Sequence, residues 1–387
     1  MQKTKLQVYF PMLKTREEIR KTIDERESLA GMFYAWEKKQ QNEFLDFCSG
    51  ARGVKMLYDV FAKAILDPEK YPERLNDILS LLLNKKVTII KVLPNEGIRI
   101  AAEKSLLVMD IVVKLEDGSI ANVEIQKIGY AFPGQRCACY SSDLLLRQYK
   151  STREALDSKK LFSYRDMRNV YTIVFLEKSG PLFEMYPDDH LHYFEQESNT
   201  GLKLELLQKY IFVPIDIYLK NKENKDISNR LNAWLLFLGS DDPGDIIRLI
   251  ERYPDFKAMY QQIYRICQNV EDMMGLFSEE LAKMDENTVK YMMDEMQEEI
   301  DRKMAELAEL ESNLAKKDED LAKKDEDLAK KDEDLAKKDR DLAQKDEALA
   351  KKDADLAKKD ADLAKKDADL QEALRRIAEL EAEKQHQ

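Results

Sequence analysis

The chain has 387 residues, enough for one or two globular domains with an appendage. Its net charge of -12 argues at first against a nucleic-acid partner, but residues 284–387 alone sum to -11 and residues 1–180 carry an excess of +6. A mildly basic front half is compatible with phosphate contact. No run approaches the roughly 18 apolar residues a membrane span needs, and the N-terminus has no apolar core of a signal peptide. Four cysteines (Cys48, Cys137, Cys139, Cys267) and three histidines give no zinc spacing. The chain is read as a soluble, reduced, cytoplasmic protein without membrane contact.

Residues 13–47 are polar and helix-prone, with T-R-E-E at 15–18 as a capping box and Phe33, Tyr34, Trp36 and Phe44 as the apolar side. KMLYDVFAKAIL at 55–66 and ERLNDILSLLL at 73–83 have helical spacing. The period then changes. Strands are predicted at 87–93, 105–115, 119–126 and 169–176, with further strands at 191–198 and 204–219. A helix opens at Pro133-Gly134 and runs to about 150, and helices return from about 226 to 283. This order predicts a mixed α/β fold with a sheet flanked by helices. The predicted divisions are a helical segment at 1–47, a core at 48–225, a helical subdomain at 226–285 and a heptad helix at 286–383.

From 314 to 369 the sequence repeats in sevens. LAKKDED occurs three times, then LAKKDRD, LAQKDEA and three copies of LAKKDAD. The segment lacks Gly and Pro, and pairs such as Glu319–Lys323 put the acid four residues before the base, so a helix is expected. If leucine takes heptad position d, then position a is Asp, one apolar residue short of a good seam. A weak coiled coil, making a homo-oligomer through 286–383, and a lone charged helix both remain open.

The informative stretch is LVMDIVVKLEDGSIANVEIQ at 107–126, two strands around a tight turn. Asp110 and Glu124 sit where burial is expected, and a lone buried carboxylate costs several kcal/mol unless paired, protonated or metal-bound. Register decides whether they cooperate. A two-residue turn at Asp117-Gly118 points them to opposite faces. A three-residue loop at 116–118, with Gly118 left-handed, sets Asp110 opposite Glu124 and Val112 opposite Asn122, with Cβ atoms about 5 Å apart. The second register gives the acids a purpose, because two like charges at that distance invite a hard divalent cation such as Mg²⁺. His190 and His192 share a strand face without a third ligand. Cys137 and Cys139 are read as packing residues.

DIVVKLEDGSIANVEIQ resembles the core of the PD-(D/E)XK nuclease superfamily. Together with FLDFCSGARGVKMLYDVFAKAIL, KSLLVMDIVVKLEDGSIANVEIQKIGYAFPGQR and GLKLELLQKYIFVPIDIY, it makes roughly residues 1–280 similar to the bacterial PD-(D/E)XK nuclease family transposases, or recombination-promoting nucleases. The resemblance implies a restriction-endonuclease-like core, followed by a helical region and the long C-terminal heptad helix. It implies a metal-dependent DNA endonuclease linked to recombination or mobile-element activity, with Asp110 and Glu124 binding Mg²⁺ (Mn²⁺ as a substitute). Gln126 stands where the superfamily usually has Lys. Being neutral, it can orient a water but cannot act as a base near pH 7, so slow turnover is expected. Asp59 matches the acid of the first helix and forms an i,i+4 pair with Lys63. Arg136, Tyr140 and Arg147 are placed on one helix face as DNA-phosphate contacts. The rival reading is a catalytically weak or inactive nuclease-fold module that binds DNA or protein, oligomerised by the C-terminal helix.

Overall fold

A computed structural model describes residues 3–94, 110–127, 133–155, 161–224 and 226–385. Two compact units divide the chain, residues 1–298 and 299–387.

In the first unit, four helices precede the sheet: α1 (Lys5–Tyr9), α2 (Arg16–Asp24), α3 (Glu27–Ala35) and α4 (Lys38–Ser49). The capping box read at 15–18 forms: the Thr15 hydroxyl accepts from the Glu18 N–H, and the Glu18 carboxylate accepts from the Thr15 N–H. Phe33 and Phe44 are buried, whereas Tyr34 is exposed. The α4 helix ends at Gly50, whose φ of 70° is left-handed. That backbone conformation favours glycine, and a Cβ there would also crowd Leu13 Cδ1 at 2.6 Å and Leu6 Cβ at 3.1 Å. Then come α5 (Asp59–Ile65) and α6 (Pro72–Leu83).

The sheet follows, with β1 (Ile89–Leu93), β2 (Ile111–Leu115), β3 (Ile120–Gln126), α7 (Pro133–Glu154), β4 (Val170–Leu176), α8 (Pro181–Glu184), β5 (His192–Phe194) and β6 (Gln208–Pro214). Its six strands lie in the order β1-β2-β3-β4-β6-β5. The β3–β4 and β4–β6 pairs are parallel and the outer pairs are antiparallel, a mixed sheet as expected. Residues 105–109 of the second predicted strand lie outside the described residues. The strand predicted at 204–219 is shorter than expected: it ends at Pro214, and Ile215–Lys220 form a helix, α9. Pro214 has no N–H to extend a ladder and its fixed φ suits a helix start. The strand at 191–198 shrinks to three residues.

Alternation sorts the sheet into two faces. Val112, Ile120 and Val170 pack with Tyr140 and Leu144 of α7 on one side. Val113, Ala121, Val123 and Ile173 join the main core on the other. That core also holds helices α1 to α6 and α10 (Arg230–Gly239), α11 (Pro243–Arg252), α12 (Pro254–Cys267) and the start of α13 (Val270–Gln385). The result is a three-layer helix–sheet–helix sandwich. Phe277 of α13 inserts among Trp36, Phe44, Phe47 and Tyr58, with ring centroids 5.0 to 6.3 Å away. The root of the last helix is therefore part of this core.

In the second unit the helix continues without a break to Gln385. Its heptad leucines, Leu314 to Leu363, are each more than half exposed. Glu319–Lys323, Glu326–Lys330 and Glu347–Lys351 pair at 2.8 to 3.1 Å in the orientation that favours a helix.

Candidate metal centre

The hairpin takes the register that brings the acids together. Val112 pairs with Asn122, Val113 with Ala121 and Ile111 with Val123. The turn closes with Gly118 N–H donating to the Leu115 carbonyl at 2.9 Å, and Gly118 has a φ of +85°. One step beyond the last pair, Asp110 falls opposite Glu124. Asp110, Glu124 and Gln126 thus share the face that carries α7.

Each acid is held by backbone or amide donors. Ile125 N–H donates to Asp110 Oδ2 at 2.7 Å, and Asn122 Nδ2 donates to Glu124 Oε1 at 2.9 Å. These bonds do not offset the loss of water. Burial, followed by the charge of Asp110, pushes the Glu124 carboxyl up to about 8. Burial also raises Asp110 above the usual carboxylate range, against the pull of the Ile125 N–H and Lys63. The cations nearby do not bring either carboxyl back to its usual range. Beside them Gln126 is only 4% exposed, and neither atom of its side-chain amide has a hydrogen-bond partner among the described residues. Leaving a buried amide unpaired costs about 1–3 kcal/mol.

Cations border the pair on two sides. Lys63 Nζ lies 2.8 Å from Asp59 Oδ1 and 3.7 Å from Asp110 Oδ1, so the i,i+4 pair read in the sequence forms and reaches on to the first acid. The sequence showed the Asp59–Lys63 spacing. The second contact needs α5 packed against the hairpin, and no local pattern announces it. Arg136, on the first turns of α7, lies close enough to draw both carboxyls down. Its guanidinium also sits 5.3 Å from the Tyr140 ring.

The other residues placed on that helix face go elsewhere. Tyr140 is 1% exposed and packs under the sheet, so its ring is out of reach of a DNA phosphate. Arg147 is bound to Asp143 at 2.7 Å and to the Pro94 carbonyl at 2.7 Å. Helical spacing put the three on one stripe, but that stripe is partly the buried one. Cys137 is buried as expected, whereas Cys139 is exposed. His192 packs beside Phe183 and Tyr186, and His190 against Tyr218.

The donors fit a hard divalent cation: two convergent carboxylates whose ionisation is resisted by burial, and an unpartnered amide that can hold a water. Among the described residues no group of three or more His, Cys, Asp or Glu forms a fuller ligand set. Such a cation would complete its shell with backbone oxygen, water or substrate oxygen, as Mg²⁺ does readily.

The chain belongs to the PD-(D/E)XK nuclease family transposases, whose family model matches residues 57–297. None of the curated proteins or solved structures compared matches it. Among the described residues no helix is long and apolar enough to cross a membrane.

Proposed function

We propose that this chain is a Mg²⁺-dependent DNA endonuclease, with Mn²⁺ able to substitute, acting in recombination or mobile-element movement. The observation that carries this reading is the Asp110–Glu124 pair, two carboxyls converging at the end of a buried hairpin with a raised demand for positive charge. Family membership supports it, since PD-(D/E)XK nucleases typically use divalent metal ions. Asp110 and Glu124 supply the ligand oxygens, with Ile125 N–H and Asn122 fixing their orientation. A cation held there would acidify a bound water and offset charge on the scissile phosphate. Gln126 orients the attacking water through its amide but cannot take its proton near pH 7. Lys63, 44% exposed, and Arg136 present positive charge to the phosphodiester as the P–O bond breaks. Asp59 holds Lys63 in place.

The nuclease core is assigned to residues 48–225, with 1–47 and 226–285 as helical supports and 286–383 as an oligomerising arm. A binding module without turnover is the second reading. Gln126 in place of a charged residue, with two acids at the centre among the described residues, is the observation in its favour.

Nicking of supercoiled plasmid by purified full-length protein separates the two. The endonuclease reading expects cleavage with Mg²⁺ or Mn²⁺ that is lost in Asp110→Ala. Absence of cleavage across both metals and a range of salt, with DNA binding retained, would establish the binding module instead.

A further inference from the structure

Behind the acid pair lies a second group of charges that the proposed reaction does not use. Lys127, the residue after Gln126, is 9% exposed. Its ammonium lies 2.8 Å from Glu280 Oε1 and 3.2 Å from Glu177 Oε2, and sits over the Tyr58 ring at 4.3 Å. The other Glu280 oxygen, Oε2, accepts from the Asp59 N–H at 3.2 Å. Glu280 is 2% exposed and lies one turn beyond Phe277 on the buried face of α13.

Each partner of this cluster is a covalent neighbour of the metal centre or bonded to it. Asp59 opens α5 and holds Lys63, which reaches Asp110. Lys127 adjoins Gln126. Glu177 donates its backbone N–H to the Gln126 carbonyl at 2.8 Å. One carboxylate on α13 therefore grips both sides of the centre, the α5 start and the β3 end. Stability does not explain the arrangement, because a buried ion pair often gains nothing over apolar residues of the same volume. It does fix geometry, since moving either α5 or β3 breaks a charged contact.

We propose that Glu280 is a positioning residue that sets the separation of Asp59–Lys63 from the Asp110–Glu124–Gln126 face, and that the root of the C-terminal helix is thereby part of the metal centre. The consequence for metal binding rests on the nuclease reading above; the geometric claim does not. Outer-shell partners of metal ligands commonly carry about 10–100-fold in metal affinity.

The test compares full-length wild type, Glu280→Ala and Glu280→Gln, with Asp245→Ala as control. Asp245 is another buried acid, 2.5 Å from Lys222 and remote from the hairpin in its contacts. Two readouts are taken: the Mg²⁺ concentration for half-maximal nicking, and amide hydrogen exchange in the peptides covering 59–65 and 120–127. Glu280, one contact further out than the direct partners of the ligands, is expected on substitution by Ala to raise the Mg²⁺ midpoint by up to about tenfold and to speed exchange in both peptides. Glu280→Gln, which can still accept from Asp59, should recover part of each, and Asp245→Ala should leave both unchanged. If Glu280→Ala does not fold, the Glu280→Ala, Lys127→Met double variant removes the stranded cation and is read the same way. Unchanged exchange in both peptides would overturn the proposal, as would an equal effect in Asp245→Ala. If wild type neither nicks nor responds to Mg²⁺, the nuclease reading fails, and the exchange data alone still decide the role of Glu280.

Discussion

Ile125 N–H donates to Asp110 Oδ2 at 2.7 Å, so the first acid of the centre is fastened to the backbone of the strand that carries the second. The bond links the two halves of the hairpin where Asp110 has already left the β2 ladder. It leaves Oδ1 turned toward Lys63. Asp110→Asn keeps an oxygen to accept from Ile125 while removing the charge. The folded structure should survive, with a melting temperature at pH 8 no lower than wild type, because a like-charge neighbour of Glu124 is gone. Plasmid nicking should fall at least 100-fold. Loss of folding in Asp110→Asn, seen by circular dichroism, would show that the carboxylate is needed for structure.

Glu124 gives the centre a pH dependence whose sign follows from its raised pKa. The folded, metal-free protein holds this proton more tightly than the unfolded chain does. Its contribution to stability is complete below the ordinary value of 4.5 and is lost as pH rises toward about 8. Above that the loss is constant. The metal-free protein should therefore lose several degrees of melting temperature between pH 5 and pH 8.5. Glu124→Gln, neutral throughout, should show a smaller fall. Thermal scans of both proteins in chelator check this, and parallel pH profiles would remove Glu124 as the titrating group.

Gln126 is a place where function and stability should trade against each other. Its buried amide has no partner among the described residues. Replacing it with Met, of similar length, removes an unsatisfied polar group and should stabilise the protein by about 1 kcal/mol. The same change should abolish Mg²⁺-dependent nicking, since no group remains to orient water. Denaturant midpoints and the plasmid assay read the two effects. A destabilised Gln126→Met would mean that the amide is satisfied in solution.

Much of this centre was legible in the sequence because strands carry strict information. The side-chain period of two, with Gly118 able to turn left-handed, fixed which of two registers puts Asp110 across from Glu124. The Thr15–Glu18 box and the Asp59–Lys63 pair were legible because both are local. What could not be read depends on packing between distant elements. Tyr140 and Arg147 share a helical stripe with Arg136, but only the docking of α7 on the sheet decides that Tyr140 faces inward. Glu280 is more than 150 residues from Lys127 and sits in an unremarkable acidic run. Its role follows from Phe277 anchoring that turn of α13, a contact no periodicity predicts. The helix after Pro214 was missed because Ile215, Ile217 and Tyr218 read equally well as continued strand.

The heptad helix should be dispensable for cleavage. Its leucines are exposed along the second unit, and the buried face of α13 lies within the first. A chain ending after Glu298 should fold with an unchanged melting temperature and nick plasmid at a rate within about threefold of full length. If the arm oligomerises the protein, sedimentation velocity will show a smaller species after truncation. A large loss of nicking on plasmid would assign the arm a direct part in cleavage.

The most direct test of the central claim is isothermal titration of Mg²⁺ and Mn²⁺ into the full-length protein at pH 7, in buffers of different ionisation enthalpy. Burial and the neighbouring charge of Asp110 raise the hold of Glu124 on its proton in the metal-free protein, so a cation bound between the two acids competes with that proton. The account predicts one saturable site whose binding releases protons and which is lost in both Asp110→Asn and Glu124→Gln. Saturable binding that survives in those variants, or that releases no proton, would place the metal elsewhere and leave the acid pair without its assigned role.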